Sequence, residues 1–217
     1  MTTITNRNST AAHAIKKIIG IIAVFIVAAL GYYGSYLPLR KSKLFIVALQ
    51  RAGSIRSFAE LQETFATPLA TPSPIGQEEL VRNLASTVLG LMSQDATSPE
   101  LTEKLLEYVQ DYYDPIVSRG KGMSFSQNHY LLGIMNEIAF VKTNELSYIN
   151  QAKKYFTAGH ERGPTRPQSL YGLFDVYRAL GEVEAAKAIG EQILDQWPDD
   201  ERTREILGDF LQKQETK

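Results

Sequence analysis

From Ile18 to Leu39 the chain runs for 22 residues without a charge, rich in Ile, Val and Ala. At 1.5 Å per residue a helix of that length covers about 30 Å, the thickness of a bilayer's hydrocarbon core. Within lipid every backbone N–H and C=O must be satisfied inside the segment, so a lone stretch of this kind has only the helix open to it. Its flanks fit: Lys16 and Lys17 precede it, and Arg40, Lys41 and Lys43 follow. Tyr32, Tyr33 and Tyr36 stand where an interfacial aromatic belt would lie, and Pro38 is expected to mark the exit. A cleaved signal peptide is the alternative, with Ala29-Leu30-Gly31 as its processing site. The apolar run continues past that point to spanning length, which favours an uncleaved span. The expected organisation is a polar, unstructured tail over residues 1–17, a transmembrane helix over 18–39 and one domain over 44–217.

Charge and cysteine content narrow what that domain does. Six of the 23 basic residues precede residue 44 and no acid does, which leaves 17 basic against 24 acidic residues beyond it. A domain of that sign repels phosphate backbones, and no basic stripe with interleaved aromatics appears, so nucleic acid is not an expected partner. Cysteine is absent, which removes disulfides, thiolate metal sites and a cysteine nucleophile. Histidine occurs only at 13, 129 and 160, without ligand-spaced partners, and all three are expected at the surface or at helix ends. Ser118-Arg119-Gly120-Lys121-Gly122 follows a helix rather than a strand and lacks the Lys-Ser/Thr ending of a phosphate loop. The acidic pairs Glu78-Glu79 and Asp199-Asp200 sit at helix starts, where they complement the dipole. No catalytic residue, metal or cofactor is predicted.

Apolar spacing of three and four predicts helices throughout the domain, and no segment alternates long enough for a strand. Leu44 to Gln50 is a short helical run broken at Gly53. Ser57, with Glu60 three residues on, is a capping box for a helix ending near Phe65, and Thr67 to Gly76 is a proline-rich connection. Further helices are predicted at Gln77–Met92, from Pro99 until Pro115, at Gln127–Val141 and at Leu146–His160, with a loop at Ser118–Gly122.

The last third repeats. Gln168 to Leu180, a turn at Gly181-Glu182, Val183 to Gln196 and Trp197-Pro198 form one helix-turn-helix unit. Leu170, Leu173, Tyr177, Gly181, Ala186 and Pro198 fit the 34-residue tetratricopeptide pattern. Phe174 and Gly190 depart from it, which predicts a swap of large and small residues at their contact. Ala152, Phe156 and Pro164 sit 34 residues before Ala186, Gly190 and Pro198, as an earlier unit would. Arg202 to Leu211 is expected to cap the stack. The fold class is therefore all-α: one N-terminal transmembrane helix followed by a tetratricopeptide-like solenoid of helical hairpins.

Tyr36-Leu37-Pro38, the Ala48-Leu49 run, Phe65, Ser73-Pro74-Ile75-Gly76-Gln77-Glu78-Glu79 and Tyr148 through Gln168 resemble one known arrangement, in that order. It is the helical-repeat tail after the last membrane helix of O-antigen ligase/polymerase-like proteins. There, as here, an Ala-x-x-Tyr-Phe-like helix (Ala152, Tyr155, Phe156) leads into a Pro-x-Arg-x-Gln turn (Pro164, Arg166, Gln168). The family's polytopic catalytic domain has no counterpart, so ligase or polymerase activity does not carry over. The resemblance implies an extracytoplasmic domain, although counting Arg7, Lys16 and Lys17 against the basic residues after the span slightly favours the inside. Two functions are expected from different directions: a membrane-anchored scaffold that recruits a protein, or an accessory of cell-surface polysaccharide assembly that binds glycan or a polytopic envelope glycan enzyme. If Leu170, Leu173 and Tyr177 face the partner helix, then Tyr171, Asp175 and Arg178 stack on the opposite face, where they are the candidate partner-binding residues.

Overall fold

The computed structural model describes residues 4–120 and 125–215. Among the described residues there is no strand, and the chain is all-α. It divides into two compact units, residues 1–80 and 81–217, the boundary falling within one helix. The helices just past the apolar stretch group with it, so the region from residue 44 on is shared between the two units.

In the first unit, α1 (Ile4–Gly31) passes through a π-helical turn at Tyr32–Tyr36 into α2 (Leu37–Ala52). The polar tail expected to be unstructured is helical from Ile4. Extending an existing helix needs no new nucleus, so the apolar segment carries its polar neighbours along. Pro38 does not end the helix either. A proline removes one N–H and crowds the carbonyl four residues back. Here the preceding turn has widened, the Leu37 N–H bonding Tyr32 O five residues back, and the ring is admitted at the second position of α2. From Ile15 to Ala52 this is one run of 38 residues, with an 18-residue window of mean hydropathy 2.1 that is 0% buried. The chain thus has an N-terminal helix long and apolar enough to cross a membrane.

The third helix, α3 (Phe58–Ala70), packs on α2. Ser57 Oγ accepts the Glu60 N–H at 3.2 Å, as the capping box predicts, while the Glu60 carboxylate accepts from the Arg56 N–H at 2.7 Å. The helix continues past the predicted end at Phe65. Leu61, Phe65, Pro68 and Leu69 are all buried, and burying Pro68 and Leu69 outweighs the single hydrogen bond that Pro68 forgoes in the last turn. Lys41, read from the sequence as a membrane-flanking cation, is 4% exposed. Its ammonium donates to Thr71 O at 2.8 Å and to Gln77 Oε1, and so ties both ends of the connection after α3 to α2.

The boundary helix is α4 (Gln77–Met92), and α5 (Pro99–Val117), α6 (Phe125–Thr143), α7 (Leu146–Arg162), α8 (Pro167–Leu180), α9 (Val183–Gln196) and α10 (Glu201–Glu215) follow. From α5 on, each helix packs against the next, and α6 also touches α8. Ser98 caps α5 through the Leu101 N–H, and the helix runs two residues past Pro115 because Ile116 is buried. The loop expected at Ser118–Gly122 is seen to Gly120, and Lys121 and Gly122 lie outside the described residues.

α6 and α7 form one hairpin and α8 and α9 a second, each closed by a two-residue link whose first residue is left-handed: Asn144 at φ 60° and Gly181 at φ 71°. Gly181 N–H donates to Arg178 O and Glu182 N–H to Tyr177 O, the paired bonds that terminate a helix on a left-handed residue. Pro164 and Pro198, in the links after the hairpins, keep the 34-residue spacing. The turns within the hairpins lie 37 residues apart, because α7 has 17 residues and α9 has 14. The period is kept between hairpins and lengthened within the first.

Candidate functional site

α8 has neighbours on several sides and little of its surface is left over. Leu170, Leu173, Phe174 and Val176 are buried, and Tyr177 packs half-buried against the Ile149–Phe156–Leu173 cluster, as its spacing predicts. The Phe156 ring of α7 lies between Gly133 of α6 and Gly172 of α8, where a Cβ on either glycine would collide with ring carbons. In the second hairpin the sizes invert as predicted. Phe174 reaches from the first helix over Gly190 of the second, its Cε2 3.1 Å from where a glycine Cβ would stand. Leu207 of α10 closes the same contact.

The three candidate residues meet different fates. Tyr171 is a structural residue: its ring stacks on Trp197 at 5.9 Å and 26°, and its hydroxyl donates to Asp200 Oδ2 at 2.6 Å. Asp200 also accepts from the Thr203 hydroxyl at 2.7 Å and backbone N–H at 3.0 Å, so this knot ties α8 to the start of α10. The Tyr171 hydroxyl, then Thr203, hold the Asp200 carboxyl below the usual carboxylate range. Burial and Asp200 push the Tyr171 phenol up to about 12. The expectation that Tyr171 stands outside the packing is thereby corrected, since a ring nearly three turns before the hairpin link finds the link after α9 waiting to receive it.

Asp175 and Arg178 remain on the surface, as the helix phase predicts. Arg178 Nη1 donates to Asp175 Oδ1 at 2.8 Å, and the guanidinium lies over the Phe174 ring at 5.1 Å. Their side chains are 51% and 29% exposed, and Arg178 Nε is buried without a hydrogen-bond partner. Loss of water raises the Asp175 carboxyl, against the pull of Arg178 and of Arg202 on α10. On α6 the half-buried Glu137 faces the same charge. Its carboxyl is pushed up to about 7, first by burial and then by Asp175. Asp175 thus stands in an ion pair with Arg178 and within electrostatic reach of Glu137 on α6 and Arg202 on α10.

Glu137 and Arg202 were not legible as site residues, because their meeting depends on how α6 and α10 lie against α8. One signal existed: Glu137 is the only carboxylate in a helix whose other positions are largely apolar. Chemically, the set offers two carboxylates, one of them near its midpoint at neutral pH, beside two guanidiniums.

His129 departs from the sequence reading. It is 7% exposed inside the first hairpin, neither ring nitrogen has a hydrogen-bond partner, and burial, then Arg162, lowers its pKa. α6 is covered by α5, α7 and α8, so a helix position that looks peripheral in sequence lies in the middle of the unit. Among the described residues no group of three or more His, Cys, Asp and Glu could hold a metal ion. No family model, curated protein or solved structure matches the chain.

Proposed function

We propose that this chain is a single-pass membrane scaffold that uses the surface around Asp175 and Arg178 to recruit a protein partner and carries out no chemistry of its own. One observation carries the reading. Asp175 and Arg178 form an ion pair at the edge of a helix whose other faces are occupied, Arg178 laid over Phe174 and Asp175 half exposed, with half-buried Glu137 within electrostatic reach. Charged groups partly withdrawn from water, and held in place by an aromatic ring, are a favourable starting point for a protein contact, because little side-chain freedom remains to be lost. The resemblance to ligase tails supports a narrower form, in which residues 44–217 face the extracytoplasmic space and the partner is a polytopic envelope glycan enzyme.

The test uses the full chain purified from detergent-solubilised membranes. Asp175→Lys and Arg178→Ala should each reduce a defined co-purifying protein at least about tenfold, the effect of losing one partly desolvated charge pair. Lys187→Ala, on the exposed side of α9, should leave it unchanged. The same co-purifying proteins in equal amounts from all variants would remove this face from the recruitment surface.

A further inference from the structure

The connection between α3 and α4 carries a feature that packing does not use. Ile75 is 63% exposed, and Pro72 and Pro74 beside it are exposed as well. From Thr64 to Gln77 no residue is charged. This uncharged tip is directed along the apolar helix of its own unit. Pro74 shares one shallow concavity with Ile26, Ala29, Leu30, Tyr33 and Gly34. Ile75 and Gly76 border another with Pro38, Lys41 and Phe45.

The loop is held there from both ends. The buried Lys41 ammonium grips Thr71 O on one side and Gln77 Oε1 on the other. Between these anchors Ser73 Oγ donates to Ile75 O at 2.7 Å and accepts from the Ile75 N–H at 3.4 Å, and Gly76 turns the chain at φ +89°. Prolines at 72 and 74 have no N–H, and Ser73 occupies that of Ile75, so few backbone donors at the tip still require water. Unmet donors and acceptors both exclude a loop from the hydrocarbon core; here most donors have been removed, and the remaining carbonyls suit the hydrated headgroup boundary rather than the core.

We infer that the Pro74–Ile75 tip inserts into the boundary between headgroups and acyl chains, as a second lipid contact beside the span. The inference rests on the reading of Ile18–Leu39 as membrane-spanning. Gly34 lies five residues inside the end of that stretch, which at 1.5 Å per residue sets the tip about 8 Å below it. Interfacial segments bury their apolar face to about that depth, roughly 5–10 Å. The exposed cations Arg40 and Lys43 lie at the same end, placed to meet headgroups above the tip. Continuity with the apolar helix favours lipid over a protein as the occupant: any partner covering Pro74 would itself sit at membrane depth.

The chain has no cysteine, so a single one can be introduced at each position and labelled. Ile75→Cys, Val24→Cys and Asp95→Cys, all at exposed sites, are made in the full chain and reconstituted into phosphatidylcholine–phosphatidylglycerol vesicles. Quenching is measured with lipids spin-labelled either near the headgroup or near the end of the acyl chain. The label at 75 should be quenched several-fold more by the shallow probe, the label at 24 by the deep probe, and the label at 95 by neither. A label at 75 as unquenched as that at 95, with 24 still quenched, overturns the insertion and leaves the span standing. An unquenched label at 24 overturns the span, and the insertion with it.

Discussion

A phenyl ring in a close-packed interior takes its volume from its neighbours, and Phe156 takes it from two glycines on different helices. Gly172→Ala puts a methyl group inside ring contact distance, where Phe156 is 0% exposed and has nowhere to go. The variant should lose about 1–3 kcal/mol in denaturant titration, and Phe156→Leu in the same chain should return part of it, a coupling that separate sites would not show. Tyr171 is a second such residue. Tyr171→Phe keeps the stack on Trp197 and loses the bond to Asp200, a difference of about 1 kcal/mol at neutral pH. Because the folded-state pKa of Asp200 is depressed, that stabilisation is present above the ordinary carboxylate range and is lost as pH falls through the folded value. The stability gap between wild type and Tyr171→Phe should therefore close at acid pH. A gap independent of pH would mean that the hydroxyl acts through something other than Asp200.

Helix boundaries were legible wherever local chemistry set them. α9 begins and ends where its spacing predicts, and Ser57 and Ser98 cap where expected. They were misplaced where burial overruled a proline, as at Pro68 and Pro115, and where a widened turn admitted one, as at Pro38, since a local rule weighs neither contacts made elsewhere nor a change of helix type. α6 shows a further limit. Enclosed by three helices, it buries Ser126, Asn128, His129 and Asn136 together with its apolar residues, so no single stripe marks its inner face. Glu137 on this helix has a folded-state pKa raised to about 7. A raised value means that the fold favours the protonated acid, so its contribution is complete below the ordinary value of 4.5 and is lost as pH rises through about 7. Glu137→Gln should thus melt higher than wild type at pH 8 by about 1 kcal/mol, allowing for partial solvation, and the two should converge near pH 4. Equal melting of both proteins at pH 8 would show Glu137 to be solvated when charged.

At the scale of the whole molecule the apolar helix is the dominant feature. A run of 38 residues is about 57 Å long, nearly twice a hydrocarbon core, so α2 must extend beyond any bilayer that α1 enters. The chain should therefore stay with membranes through alkaline carbonate washing and keep its own N-terminus. Soluble protein beginning near Tyr32 on N-terminal sequencing would mean that the segment is a cleaved leader. Protease added outside cells whose outer barrier has been removed should digest the region after residue 44, and its protection would place that region inside.

The apolar helix, the all-α class, the second hairpin and the inverted sizes of Phe174 and Gly190 were determined by sequence alone, because each depends on residues within about a turn of one another or on a fixed repeat. Tertiary structure decided what depends on distant residues meeting. It divided the chain after Leu80, buried Lys41 against the loop after α3, drew Tyr171 into the α10 cap, and set Glu137 beside Asp175. Spacing along a helix states which side chains share a face. Whether that face meets water, lipid or another helix is set by neighbours tens of residues away, and their arrival carries no local mark.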